Sequence, residues 1–152
     1  MADVSAVLAK YPVIVRQPVV WGDMDAYKHV NNVVYFRYLE NVRLEYFRQM
    51  GWFEFEDRTG IGPILAVTSA RFRRPLTFPD DIAIAARVVD IGDDRFTLEH
   101  VIVSNGQQAV VTEGTGLVVV YDYRAGRKAA LPEVLREKIR TLEAGAGNSV
   151  AP

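Results

Sequence analysis

The chain has 152 residues, 49% hydrophobic and 24% charged, with a formal net charge of −1. That is enough for one globular domain, and it lacks the surplus of Lys and Arg that nonspecific binding to nucleic acid or anionic membrane requires. With no cysteine, disulfides, thiolate nucleophiles and cysteine-ligated metals are excluded.

Met1 to Lys10 holds no basic stretch followed by an apolar run, so it does not read as a signal peptide. No apolar run approaches the ~20 residues that span a bilayer. The expected location is the cytoplasm, with no membrane partner. Tyr11 to Trp21 is rich in Val and Ile and bracketed by Pro12 and Pro18, which predicts a strand near a sheet edge. Gly22 to His29 is polar and turn-like. From near Asn32 to near Gly51, the residues Tyr35, Tyr38, Leu39, Val42, Tyr46 and Met50 fall on one helical face, widened by Phe36 and Phe47. A helix this apolar is buried along most of its length. Gly51 suits the position just past its end.

Glu54 to Gly60 reads as a loop. Beyond it, Ile64 to Arg71, Asp81 to Ile91, Arg95 to Ser104 and Ala109 to Tyr123 have strand composition. Turn signals separate them, among them Asn105-Gly106, a pair that tolerates positive φ. Such short connections imply antiparallel neighbours. Pro132 to Leu142 predicts a short amphipathic helix. Residues 1–143 thus read as a single domain, followed by a mobile Gly- and Ala-rich tail at 144–152. The order of strand, long helix and four strands predicts an α+β fold, in which a twisted antiparallel sheet of about five strands curves around the helix.

The chemistry concentrates between Trp21 and Asn32. Asp23 and Asp25 sit in a polar turn, His29 lies four residues after Asp25, and Asn31 and Asn32 stand where a helix cap is expected. A helix start offers free N–H groups and a partial positive charge to an oxygen that becomes negative during acyl transfer. A carboxylate beside it can attack the acyl carbon or take a proton from water. Plainer readings stand alongside: either Asp as a turn residue, either Asn as a cap, His29 as a surface histidine. The basic run Arg71, Arg73, Arg74 is either a solvated strand face or, at Arg73 or Arg74, a phosphate contact. Two histidines offer too few ligands for a metal site, no Gly-x-Ser-x-Gly elbow is present, and Gly60-Ile61-Gly62 lacks the third glycine of a dinucleotide fingerprint.

The run from Asp23 through His29-Val30-Asn31-Asn32 to Tyr35, with Arg43 further along the helix, resembles the signature of the 4-hydroxybenzoyl-CoA thioesterase family and its acyl-CoA thioesterase relatives. Arg71 to Asp80 looks like that family's strand-crossing motif, with Pro79 where the family has Gly. The likeness runs from about Pro12 to Pro132. It implies a hot-dog fold and hydrolysis of an acyl- or aroyl-CoA to free acid and coenzyme A, with no cofactor beyond the coenzyme A of the substrate and no metal. It assigns catalytic roles to Asp25, His29 and the backbone N–H of Asn32, and substrate contacts to Asn31, Tyr35, Arg73 and Arg74. Plant acyl-carrier-protein thioesterases with a similar run have Asn where this chain has Tyr27. Subunits of the family pair edge to edge, which implies a homodimer or homotetramer. Two other readings are a hot-dog hydratase or dehydratase acting on an enoyl- or hydroxyacyl-thioester, and a noncatalytic acyl-CoA-binding module.

Overall fold

A computed structural model describes residues 3–150. In chain order the elements are α1 (Val4–Leu8), β1 (Val13–Pro18), a 3-10 turn (Trp21–Asp23), α2 (Asn32–Gln49), α3 (Trp52–Thr59), β2 (Ile61–Phe72), β3 (Asp81–Ile91), β4 (Arg95–Ser104), β5 (Ala109–Asp122), β6 (Arg127–Lys128) and α4 (Glu133–Gly145). The main strands form one antiparallel sheet in the order β1-β3-β4-β5-β2, and the short β6 pairs with β5. The fold is α+β, a hot-dog arrangement with α2 lying against the concave face of the sheet.

Alternation along the strands sends Phe96, Leu98 and Ile102 of β4 towards α2, where they join Tyr38, Leu39, Val42 and Tyr46 in the main core. The helix comes close because β5 carries glycine beneath it: a Cβ on Gly114 would lie 2.9 Å from Leu39 Cδ1 and 2.8 Å from the Ser69 carbonyl oxygen. On the opposite face, α1 packs Leu8 against Ala83, Ala85, Val101 and Val103.

Between α2 and β5 the structure corrects the sequence reading in three places. The expected loop at Glu54 to Gly60 is mostly helix α3, bounded by left-handed Gly51 (φ 73°) and Gly60 (φ 78°). Its apolar stripe is too short for periodicity to register, and buried Trp52 anchors it, with its ring 5.1 Å from Phe47 and its Nε1 donating to the Ile61 carbonyl (3.1 Å). Strand β2 consequently begins at Ile61 rather than Ile64. The β4–β5 turn is present, but its positive φ falls on Gln108 (48°) and not on Asn105 or Gly106.

Helix α4 continues three residues past the expected end, to Gly145, because buried Glu143 is tied into the core. Its carboxylate accepts from the Tyr46 hydroxyl (2.6 Å), the Val88 N–H (3.0 Å) and Asn148 Nδ2 (2.9 Å). A register shift between Val88 and Asp90 interrupts the β3–β4 ladder at that N–H. Asn148 Nδ2 also donates to the Lys10 carbonyl, and Val150 packs on the core. Glu143→Ala would strand two buried donors, so urea unfolding should show a loss of about 2 kcal/mol with an unchanged m-value. A loss under ~0.5 kcal/mol would mean that water replaces the carboxylate at no cost.

Candidate active site

The segment between β1 and α2 folds into a tight turn. The Asp25 N–H donates to the His29 carbonyl (2.7 Å), the Lys28 N–H to the Asp25 carbonyl (3.0 Å), and Lys28 takes a left-handed φ of 64°. The Asp25 carboxylate participates through Oδ1, which accepts from the Tyr27 N–H (2.8 Å) and, more weakly, the His29 N–H (3.4 Å). Asp25 is therefore a turn residue, as the plain reading has it. Its Oδ2 has no hydrogen-bond partner among the described residues.

The turn delivers the chain to the start of α2. Asn31 is the cap: its Oδ1 accepts from the Val33 N–H (3.1 Å), and its own N–H donates to the Asp23 carbonyl (2.9 Å). The next amide, the N–H of Asn32, has no acceptor among the described residues. It is one of the donors that a helix start leaves free.

Asp25, His29, Asn32, Tyr35, Arg73 and Arg74 all line one open cavity of about 470 Å³, with Val30, Phe72 and Pro75 completing it. Asn31 is the one predicted site residue outside that wall, because its side chain turns back to cap the helix. Tyr35 is buried, with its ring edge-on to Phe72 (4.9 Å) and its hydroxyl oxygen accepting from the Leu76 N–H (3.0 Å). Burial pushes its phenol up; the Leu76 N–H opposes this and the Asp25 carboxylate adds to it. The hydroxyl therefore stays protonated, with its own hydrogen free to donate. Arg73 is partly committed to Glu113 (2.9 Å), whereas no ion-pair partner meets Arg74 among the described residues. Arg71 and Asp23 line different clefts, that of Arg71 a space of about 740 Å³ on the outer face of the sheet. Sequence reasoning missed Phe72 and Pro75, although the break in strand pattern before Pro75 signals that the chain crosses something there.

The family model of the thioesterase-like superfamily matches residues 19–139. The chain belongs to that superfamily. It is accordingly a thioester hydrolase. It is 25% identical over 119 residues to the long-chain acyl-CoA thioesterase FadM of Escherichia coli, covering 78% of this chain and 90% of FadM. A thioesterase from Thermus thermophilus, solved with coenzyme A and zinc, is 32% identical, with a TM-score of 0.78, over 89% of this chain and 96% of its own. The PA2801 protein of Pseudomonas aeruginosa is 28% identical, with a TM-score of 0.75, over 85% of this thioesterase and 98% of its own chain. Among the described residues, no group of three or more His, Asp and Glu side chains gathers in a way that would hold a metal ion.

Proposed function

We propose that this thioesterase hydrolyses acyl-CoA at the cavity before α2, with the unbonded Oδ2 of Asp25 and the unbonded N–H of Asn32 as its two working groups. One observation carries the reading: both groups, left over from otherwise satisfied turn and cap networks, line the same cavity. The Asn32 N–H donates to the thioester oxygen, helped by the positive end of an 18-residue helix. Oδ2 either takes a proton from the attacking water or attacks the acyl carbon to give an anhydride that water then opens. In both routes the C–S bond breaks and the leaving thiolate takes up a proton. A single turnover in ¹⁸O-water separates them, since only the anhydride route can leave label in Asp25.

His29 flanks the cavity, Tyr35 and Phe72 form its apolar wall, and Asn31 holds the Asn32 amide in place by fixing the cap. Arg74, and Arg73 when released from Glu113, would meet the coenzyme A phosphates. No cofactor enters beyond the coenzyme A of the substrate. Thiol release from a panel of acyl-CoAs tests the reading, and none at all would end it. In the same assay Arg74→Ala should raise KM about 3- to 10-fold with kcat kept, because a phosphate contact far from the reacting atoms is lost equally from ground and transition states.

A homodimer is part of the proposal. Strand β2 pairs with β5 on one side only, and residues 64–69 are exposed despite including Ile64, Leu65 and Val67. A long unpaired edge of that composition calls for another strand, and a second β2 supplies it. The proposed location is the cytoplasm; no helix among the described residues is long and apolar enough to cross a membrane.

A further inference from the structure

Among the residues lining the cavity before α2, Tyr35 is the one buried polar side chain. A helical side chain leans back over the turn that precedes its own Cα, so Tyr35, in the first turn of α2, directs its ring toward the helix start. Its hydroxyl reaches further still. The oxygen accepts from the Leu76 N–H (3.0 Å), and the Leu76 carbonyl accepts from the N–H of Val30 (2.9 Å), two residues before the helix begins. The hydroxyl is thereby held level with the approach to α2, on the side toward which the first N–H groups of a helix point. Two groups of the proposed site face the same space: the Asn32 N–H, without an acceptor among the described residues, and the Asp25 carboxylate, near enough to act on the phenol.

Only one of the two bonding capacities of this hydroxyl is used. Its oxygen accepts, while its hydrogen has no acceptor among the described residues. The Asn32 amide is a single donor, whereas oxyanion sites commonly gather several, Tyr hydroxyls among them. We propose, resting on hydrolysis in this cavity, that the Tyr35 hydroxyl is the second donor to the thioester oxygen, beside the N–H of Asn32, and so a catalytic residue.

The Leu76 N–H improves the donor, because a hydroxyl that accepts a hydrogen bond gives a stronger one in turn. The phenol donates without releasing its proton. Tyrosine titrates near about 10 and a thiol near about 8.5, so transfer to the leaving thiolate would run uphill. The bond tightens as the carbonyl oxygen gains charge, and its loss therefore falls on kcat rather than KM.

Tyr35→Phe tests this. A second form carries 4-fluorophenylalanine at the same position, which keeps the size of the hydroxyl and a weak acceptor for Leu76 but lacks the hydrogen. Circular dichroism checks both folds, and the fluorinated form carries the comparison if Tyr35→Phe unfolds. Thiol release should lose about 10²-fold in kcat with KM within ~3-fold of the parent. The deciding readout is the infrared carbonyl stretch of a bound ketone analogue of the fastest acyl-CoA, with methylene in place of sulfur and ¹³C at the carbonyl. The parent and Asp25→Asn keep both donors, so each should lower the stretch below its value in a solvent without donors. Tyr35→Phe should lose about half of that displacement, one of two donors being gone. Tyr38→Phe removes a buried hydroxyl without a partner, beside the cleft of Asp23, and should match the parent in both readouts. A stretch in Tyr35→Phe equal to a displaced parent stretch would overturn the proposal alone. If the acid limb of its kcat profile also moved up in pH, the hydrogen would belong to Asp25. No displacement even in the parent would take the Asn32 donor down with it.

Discussion

Asp25→Asn should lose at least about 100-fold in thioester turnover while keeping its fold and most of its substrate affinity. The substitution separates the two jobs that this side chain performs. Asn retains a carbonyl oxygen to accept from the Tyr27 N–H, so the turn before α2 closes as before, and the residue type suits such turns. What disappears is the charge on Oδ2, the atom with no hydrogen-bond partner among the described residues. A neutral amide is neither a nucleophile nor a base at that position, and loss of such a group typically costs 10²–10⁴ in rate. Asp25→Ala is the poorer experiment, since it removes the turn acceptor as well and confounds misfolding with chemistry. Asp23→Asn is the proper control. Its side chain lines a separate cleft with Gln17 and Tyr38, and its contribution to the turn is the backbone carbonyl that accepts from Asn31, which the substitution leaves in place. Single-turnover thiol release on the two variants should differ by well over tenfold. The reverse ranking would move the chemistry to the other side of the helix start.

How far the sequence revealed this arrangement depended on the range of the forces involved. Strands β3 and β4 were legible residue for residue, because both are dense in Val, Ile, Thr and Phe and turn residues bracket them, although both faces of β3 and of the second half of β4 are buried. Helix α2 was legible from its broad apolar face and from Asn31 and Asn32 at its start. Helix α3 was not, because eight residues give barely two turns and its one fully buried side chain, Trp52, is held by Phe47 and Phe96, the latter far away in sequence. The candidate site divides in the same way. Asp25, His29 and Asn32 lie within eight positions of one another, so spacing alone could propose them together. That Phe72, Arg73, Arg74 and Pro75 close the other wall is a matter of sheet topology, because β2 must run alongside β5 to bring its end to the start of α2. The fate of Arg73 lay beyond sequence reasoning as well, since its bond to Glu113 depends on the register of that same pairing.

The second large effect concerns stability, and it comes from a histidine that the proposed chemistry does not use. His100 is fully buried on β4 facing α2, and neither ring nitrogen makes a well-formed hydrogen bond among the described residues. Its Nε2 would lie 3.5 Å from a Cβ on Gly116, and Nη1 of Arg43, a side chain only 7% exposed, would lie 3.8 Å from the same point. Burial, then the Arg43 guanidinium, pushes the imidazole down to about 3, with the Ala85 backbone opposing them. An unfolded chain protonates this ring near 6.5. Between those two values the unfolded state binds a proton that the native state refuses, so stability falls as the pH falls through that window and is unaffected above it. Below about 3 the native ring also protonates and the dependence ends. One proton corresponds to about 1.4 kcal/mol per pH unit, which amounts to roughly 2.5 kcal/mol between pH 6 and pH 4. His100→Leu removes the titration, at the cost of a constant offset from repacking. Urea unfolding of both proteins at matched concentration should give two curves against pH that run parallel above pH 7 and converge on acidification. Carboxylates tilt both curves alike, so only the convergence reports on His100. Curves that stay parallel down to pH 4 would mean that the native ring takes up its proton there, with the Arg43 side chain moving aside to admit it.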